Sequence, residues 1–325
     1  MSMRIVAESP RSRMAVAVLA LVALTVLGVC VHFLAMAILR RRGITVTRAR
    51  FGLALLFDTT DADGTPVRML NVGGAFQSAA YIPGNLQDEL ACEYQREQGR
   101  IVSELPRLRD AVVIGGGGFS FPRWLATHLA PVRVIAVEVD PKIIEIARES
   151  FGLARVEREL AGTGRLSVVC ADGWEWLRGR KAPADLIVNE AFTGSRPLGP
   201  LATEEGARLV HEHLAEEGSY LATLRFPLEG RASHPMYETL AAFSREFGHV
   251  WLVPEFTDEP RHRGNNTLVA SDCDLVAAGC TPLAGHEWQG QVGARLILRR
   301  CTAAARHDRF ERAPSAPQSP TSSDE

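Results

Sequence analysis

Three acids and a run of four glycines are the residues of this chain whose types and spacing could do chemistry. The glycines, Gly115 to Gly118, follow the apolar run Val112-Val113-Ile114, and Glu138 comes 23 residues after Gly115 at the end of a second apolar run. Glycine has no Cβ, so such a turn lets a ligand lie against bare backbone. A carboxylate at the end of the neighbouring strand can accept hydrogen bonds from both ribose hydroxyls of an adenosine. Asp172, followed by Gly173, and Glu190 close two further apolar runs, Leu166 to Cys170 and Leu186 to Val188. Asp172 is placed to accept from an adenine amino group, and Glu190, beside the glycine turn, to face the reactive end of the ligand. Taken singly, each acid could as well cap a helix or sit in a solvated turn. Together, at successive strand ends, they point to one nucleoside crevice.

The spacing also limits which nucleotide. The dinucleotide fingerprint G-x-G-x-x-G fails, because its third glycine would fall on Ser120 or Phe121. No G-K-[ST] follows the glycines, so a P-loop is excluded. A glycine turn without phosphate machinery, followed by a strand-end acid, suits S-adenosylmethionine or a relative better than NAD.

The elements that must hold these residues are legible from periodicity. Val112 to Ile114 and Val132 to Val139 read as strands of a parallel sheet buried on both faces, with a helix over Phe119 to Leu129 between them. Asp140 caps a following helix with Pro141 in its first turn and Ile143, Ile146, Ala147 and Phe151 on one face. Strands over 166–170, 186–188, 220–226, 250–253 and 267–271 alternate with helices after Gly173, over 203–214 and over 236–247. Alternating β and α with acids at strand ends predicts an open, mainly parallel α/β sheet. Ahead of it, 44–107 reads as a small β-rich subdomain. Its hairpin joins Phe51–Phe57 to Val67–Val72 through Asp61-Ala62-Asp63-Gly64, and a helix over Asn85 to Glu104 carries Tyr94.

The chain's bounds narrow the function class. Its 325 residues are ample for a core, and a net charge of −2 with no long basic run in the globular part speaks against nucleic acid. The six cysteines include no C-x-x-C pair, so no metal is expected and a reducing compartment fits best. Met14 to Leu39 is a run of 26 uncharged residues, long enough to span a bilayer. Three arginines precede it and five follow closely, which places the globular part in the cytoplasm behind a single-pass anchor rather than a cleaved signal. The expected division is a tail (1–13), a transmembrane helix (14–39), the β-rich subdomain (44–107), a Rossmann-like domain (108–302) and a disordered tail (303–325). The sequence leaves the oligomeric state open, a homodimer included.

The stretches VVIGGGGFSFPRWLA, VIAVEVDPKIIEIAR, VVCADGWEWL and ADLIVNEAFTG resemble successive motifs of the spermidine synthase family, the aminopropyltransferases, and in particular its bacterial membrane-associated members. The resemblance runs from about Gly73 to Ser271, taking in Gln77, Tyr94 and Gly264-Asn265-Asn266. It implies a Rossmann-like, class I S-adenosylmethionine-dependent transferase sheet behind a small β subdomain. The glycines Gly115, Gly116, Gly117 and Gly118, with Glu138, Asp172, Gly173 and Gln77, would then bind the co-substrate. Glu190 would be the catalytic acid, with Tyr94 beside it orienting an amine.

The implied reaction moves an aminopropyl group from decarboxylated S-adenosylmethionine to a polyamine. Three departures stand out: Gly118 replaces the loop aspartate of the family, Glu190-Ala191-Phe192-Thr193 replaces its two-acid segment, and Tyr94 precedes Gln95-Arg96 rather than His-Glu. A diamine needs carboxylates at both ends of its groove. Methyl transfer from S-adenosylmethionine, or a non-catalytic nucleoside-binding module on a membrane anchor, therefore stay open as alternatives.

Overall fold

A computed structural model of the chain describes residues 10–290 apart from 83, 85, 194, 195 and 198. The tail expected over 303–325, the last residues assigned to the Rossmann-like domain, and residues 1–9 lie outside the described residues.

Helix α1 (Pro10–Arg41) contains Leu21–Arg41, 21 residues of mean hydropathy 2.5, the one described helix long and apolar enough to cross a membrane. Large apolar side chains along it, Leu21, Leu24 and Leu34 among them, are exposed. Only Arg42, Gly43 and Ile44 separate it from a four-stranded antiparallel sheet: β1 (Thr45–Ala49), β2 (Gly52–Thr60), β3 (Pro66–Val72) and β4 (Ala75–Tyr81), in sequence order. The β2–β3 turn forms where the sequence predicts it. Asp61 Oδ1 closes it by accepting from Asp63 N (3.0 Å) and Thr65 N (2.8 Å), the local bonding that makes aspartate a turn residue.

The larger unit follows. Its elements are α2 (Glu93–Ser103), β5 (Asp110–Ile114), α3 (Ser120–His128), β6 (Arg133–Glu138), α4 (Pro141–Ser150), α5 (Leu153–Glu159), β7 (Leu166–Cys170), α6 (Gly173–Gly179) and β8 (Ala184–Asn189). A short ribbon, β9 (Phe192–Thr193) with β10 (Arg196–Pro197), then leads to α7 (Glu204–Glu212), β11 (Leu214–Phe226), α8 (His234–Glu246), β12 (His249–Val253) and β13 (Gly264–Ser271). The seven-stranded sheet has the order β12-β13-β11-β8-β5-β6-β7. Strands β11, β8, β5, β6 and β7 run parallel, and β13 is antiparallel to both β11 and β12.

Strand alternation explains why the central strands are apolar throughout. Val112 and Ile114 of β5 face a layer built by α6, α7 and α8, through Leu177, Val210, Leu240 and Phe243. Ala111 and Val113 face the opposite layer, through Ile101 and Val102 of α2 and Phe121 and Leu125 of α3. A sheet covered on both faces favours apolar side chains along its central strands and leaves carboxylates to the strand ends. The acids are at those ends.

The helix expected over Asn85 to Glu104 is shorter. Asn85 lies outside the described residues, and α2 begins at Glu93. Residues 86–91 are drawn instead onto α3: Arg123, 2% exposed, donates to Asp88 Oδ1 (3.1 Å) and Gln87 O (3.3 Å). Burying a guanidinium requires such partners, and here their bonds to the turn take the place of further helix. In its packing α2 belongs to the large sheet, while the N-terminal sheet closes on α4 through Leu70, Val72, Ile143, Ile146 and Phe151.

Candidate active site

Strand order reverses between β5 and β8, since β6 and β7 lie to one side of β5 and β8 and β11 to the other. Ligands of open α/β sheets bind at such a switch point, outside the carboxyl ends of the strands. The backbones converge there: Gly115 N donates to Val137 O (2.8 Å) and Glu190 N to Ile114 O (2.8 Å). Gly115 has φ +92°, and a Cβ on it would meet Ala191 N at 2.6 Å and Glu190 C at 2.7 Å. Only glycine fits between the two strand ends.

A cavity of about 550 Å³ opens above this point. Its wall includes Gly115, Gly116, Gly117, Glu138, Asp172, Gly173, Glu190, Tyr94 and Gln77, so the structure gathers nearly all the residues singled out from the sequence. Arg50, Phe51 and Gly73, in the turns of the N-terminal sheet, also line it. That sheet is fixed over the cavity by Arg50 N, which donates to Asp140 Oδ2 at 2.6 Å, and by Arg50 Nη1, which donates to Val139 O at 3.3 Å. Asp140 caps α4 at the same time, with Oδ1 accepting from Lys142 N at 2.9 Å.

Glu138, 8% exposed, binds backbone with both oxygens: Oε2 accepts from Gly116 N (2.8 Å) and Gly117 N (3.2 Å), and Oε1 from Asp140 N (3.0 Å). The acid at the end of β6 thus braces the glycine turn. Burial raises its pKa above the ordinary carboxylate value, and the three amide donors counter that.

Asp172 is the N-cap of α6. Its Oδ1 accepts from Trp174 N (3.0 Å) and Glu175 N (3.2 Å), and the residue also lines the cavity.

Gly118 is held differently from its neighbours. A Cβ there would meet Ser78 Oγ at 2.7 Å and Phe151 Cδ1 at 2.9 Å, so the space for a side chain is already taken. It is the one loop glycine that does not line the cavity wall.

Glu190 is partly buried, and among the described residues its carboxylate meets one donor. Gln95 Nε2 lies 3.3 Å from Oε1 and 3.0 Å from Oε2. Loss of solvation pushes the Glu190 pKa up to about 7, against the lowering effect of the Gln95 bond. The next backbone donor, Ala191 N, goes to Asn189 Oδ1 (3.1 Å) rather than to Glu190. Tyr94 is buried beside this carboxylate, and burial first and Glu190 second hold its phenol well above the ordinary value, hence neutral. Cys92, just before α2, is pushed up to about 12 by the same two causes.

Gln95 was marked in the sequence only as a departure from the family pattern. The signal that finds it is helical spacing: Tyr94, Gln98, Ile101 and Val102 form the inward face of α2, and Gln95 shares it. Gln98 is turned inward too, donating to Thr223 Oγ1 at 2.9 Å. Among the described residues no three His, Cys, Asp or Glu side chains come together as a metal-ligand set.

A doubly covered, mostly parallel α/β sheet, with a cavity and acids at its switch point behind a small antiparallel sheet, defines a Rossmann-type α/β fold. No protein-family model matches the chain. Over 108 residues it is 32% identical to the polyamine aminopropyltransferase of Neisseria meningitidis serogroup A, covering 33% of this chain and 39% of that protein. It is 25% identical over 265 residues to polyamine aminopropyltransferase 2 of Pseudomonas aeruginosa, covering 80% of this chain and 68% of the relative. The solved spermidine synthase of Thermotoga maritima superposes with a TM-score of 0.55 at 19% identity, over 72% of this chain and 75% of that one. In sequence the chain is similar to proteins named polyamine aminopropyltransferase, in fold to solved spermidine synthases, and it spans about two fifths of the length of the Neisseria relative.

Proposed function

We propose that this protein is an aminopropyltransferase of the spermidine synthase type, taking decarboxylated S-adenosylmethionine as donor and a polyamine as acceptor. The observation that carries the reading is Glu190, a carboxylate with a pKa near 7 at the switch-point cavity of a chain whose curated relatives are named polyamine aminopropyltransferases. In the proposed reaction an amine nitrogen attacks the methylene next to the sulfonium. The carbon–sulfur bond breaks, methylthioadenosine leaves, and the proton lost by the amine passes to Glu190. A general base is most effective with a pKa near the working pH. Tyr94, a neutral phenol, and Gln77 orient the amine. Glu138 and Asp172 hold ribose and adenine, and the bare backbone of Gly115 to Gly117 and Gly173 lies against the nucleoside.

The reading includes membrane attachment in the manner of the family's membrane-associated branch, with α1 as a single-pass anchor. Arg40, Arg41 and Arg42 at its C-terminal end support a cytoplasmic globular domain, where the donor would be supplied.

The test is incubation of the detergent-solubilised full chain with decarboxylated S-adenosylmethionine or S-adenosylmethionine and a panel of polyamines. Methylthioadenosine as product supports aminopropyl transfer. S-Adenosylhomocysteine would replace it by methyl transfer, the reading that the missing acid at Gly118 accommodates. Nucleoside binding without either product would make the protein a sensor.

A further inference from the structure

The Glu190 carboxylate is held from one side, by one amide. Both its oxygens lie within reach of Gln95 Nε2, and neither meets another donor among the described residues. Gln95 is 4% exposed, and its own Oε1 finds no partner among the described residues. A buried amide with one end unpaired is unfavourable, so the orientation found keeps the donor on the carboxylate at the cost of the acceptor. The opposite orientation suits the other protonation state. A protonated Glu190 carries an O–H, and a glutamine rotated about its terminal torsion, which has two roughly equivalent settings, presents Oε1 to receive it.

We propose that Gln95 is a positioning residue for Glu190: it fixes the carboxylate by donating to it, and turns its amide over to accept from the acid once the amine's proton has arrived. The proposal rests on the reading of Glu190 as proton acceptor. The step balances: one N–H bond of the amine breaks, one O–H bond forms on Glu190, and the amide exchanges a donated hydrogen bond for an accepted one. A lysine in the same place would serve the ionised form alone.

Other titratable groups surround the pair. Tyr94 and Cys92 face Glu190 from α2 and its start. Across the cavity stand Glu138 at the end of β6, Asp172 and Glu175 at α6, and Arg50 from the N-terminal sheet. Gln95 differs from all of these in binding the carboxylate directly.

The experiment is a pH titration of the full chain in detergent, carrying 13C at the glutamate side-chain carboxyls, with the Glu190 signal identified by its loss in Glu190→Gln. Gln95→Met keeps the length and removes the hydrogen bond. It should move the Glu190 midpoint up by about 1 pH unit, the difference between a bond to the charged carboxylate and one to the neutral acid. Gln95→Glu sets a like charge beside it and should move the midpoint further. In the same preparations the acid limb of the kcat/KM profile should follow the midpoint, with KM for the nucleoside donor little changed. A folded Gln95→Met with the wild-type midpoint overturns the proposal, as does a midpoint shift that the acid limb ignores. If Gln95→Met does not fold, Gln95→Glu decides alone, and a midpoint at or below that of wild type overturns it. Failure of the underlying reading looks different: Glu190→Gln would then turn over at the wild-type rate, whatever Gln95 does to the titration.

Discussion

At the scale of single residues, Glu190, the proposed base, carries a stability cost. Its pKa is raised in the fold, so between the ordinary carboxylate value and about 7 the folded protein binds a proton that the unfolded chain has released. Stability therefore falls as pH rises through that window and stays lower above it. Glu190→Gln removes the buried charge. It should raise stability by about 1–3 kcal/mol at pH 8 and by little below pH 4.5, read by thermal melting at the two pH values. Turnover should fall by roughly 10²–10⁴-fold, the worth of a positioned base, while methylthioadenosine still binds. A mutant that is more stable and still active would remove Glu190 from the reaction. Glu138 braces the glycine turn and, in the proposed reading, also holds ribose. Glu138→Ala should weaken methylthioadenosine binding by about 1.5–3 kcal/mol in a calorimetric titration. Glu138→Gln should not be mild, because its amide NH2 would replace one of two acceptors that now face backbone N–H groups.

Among the elements, the loop after β5 and the sheet that covers it are fitted to one another. Ser78 of β4 and Phe151 after α4 occupy the space beside Gly118, so restoring the family's aspartate is not a simple graft. Gly118→Asp should lower stability by about 1–3 kcal/mol through overpacking, and the smaller Gly118→Ala should still cost measurably. Thermal melts check both, and an aspartate variant as stable as wild type would mean that Ser78 and Phe151 move aside freely. Asp140 joins two elements, capping α4 and receiving Arg50 N from the β1–β2 turn. Asp140→Ala should cost about 0.5–2 kcal/mol for the cap and also loosen the covering sheet. Faster amide exchange at Arg50 would report that loosening.

For the whole molecule, the expected anchor and the cavity are neighbours in the chain: α1 ends at Arg41, β1 begins at Thr45, and the turn after β1 supplies Arg50 and Phe51 to the cavity wall. The full chain should sediment with membranes and resist extraction by salt. With α1 retained and the globular domain cytoplasmic, protease added to sealed right-side-out cells should leave that domain intact. A soluble mature protein starting just after Ala37 would end the anchor reading.

The sequence by itself determined the alternation of strands and helices, the glycine turn, the acids at the strand ends and the long apolar helix. These follow from periodicity and from what glycine, proline and strand-end carboxylates do locally, and they were enough to gather Glu138, Asp172 and Glu190 around one crevice. The tertiary structure decided the rest. That Gln95 clamps Glu190 depends on how α2 lies across the sheet, a relation between residues 95 positions apart that local pattern does not carry. The start of α2 at Glu93 depends on a buried Arg123 drawing residues 86–91 onto α3, where long-range bonds outweigh helix propensity. Gly118 looked like a lost acid in the sequence. In the fold a side chain there must first displace Ser78 and Phe151, a packing constraint that exists only once these two have been brought beside it.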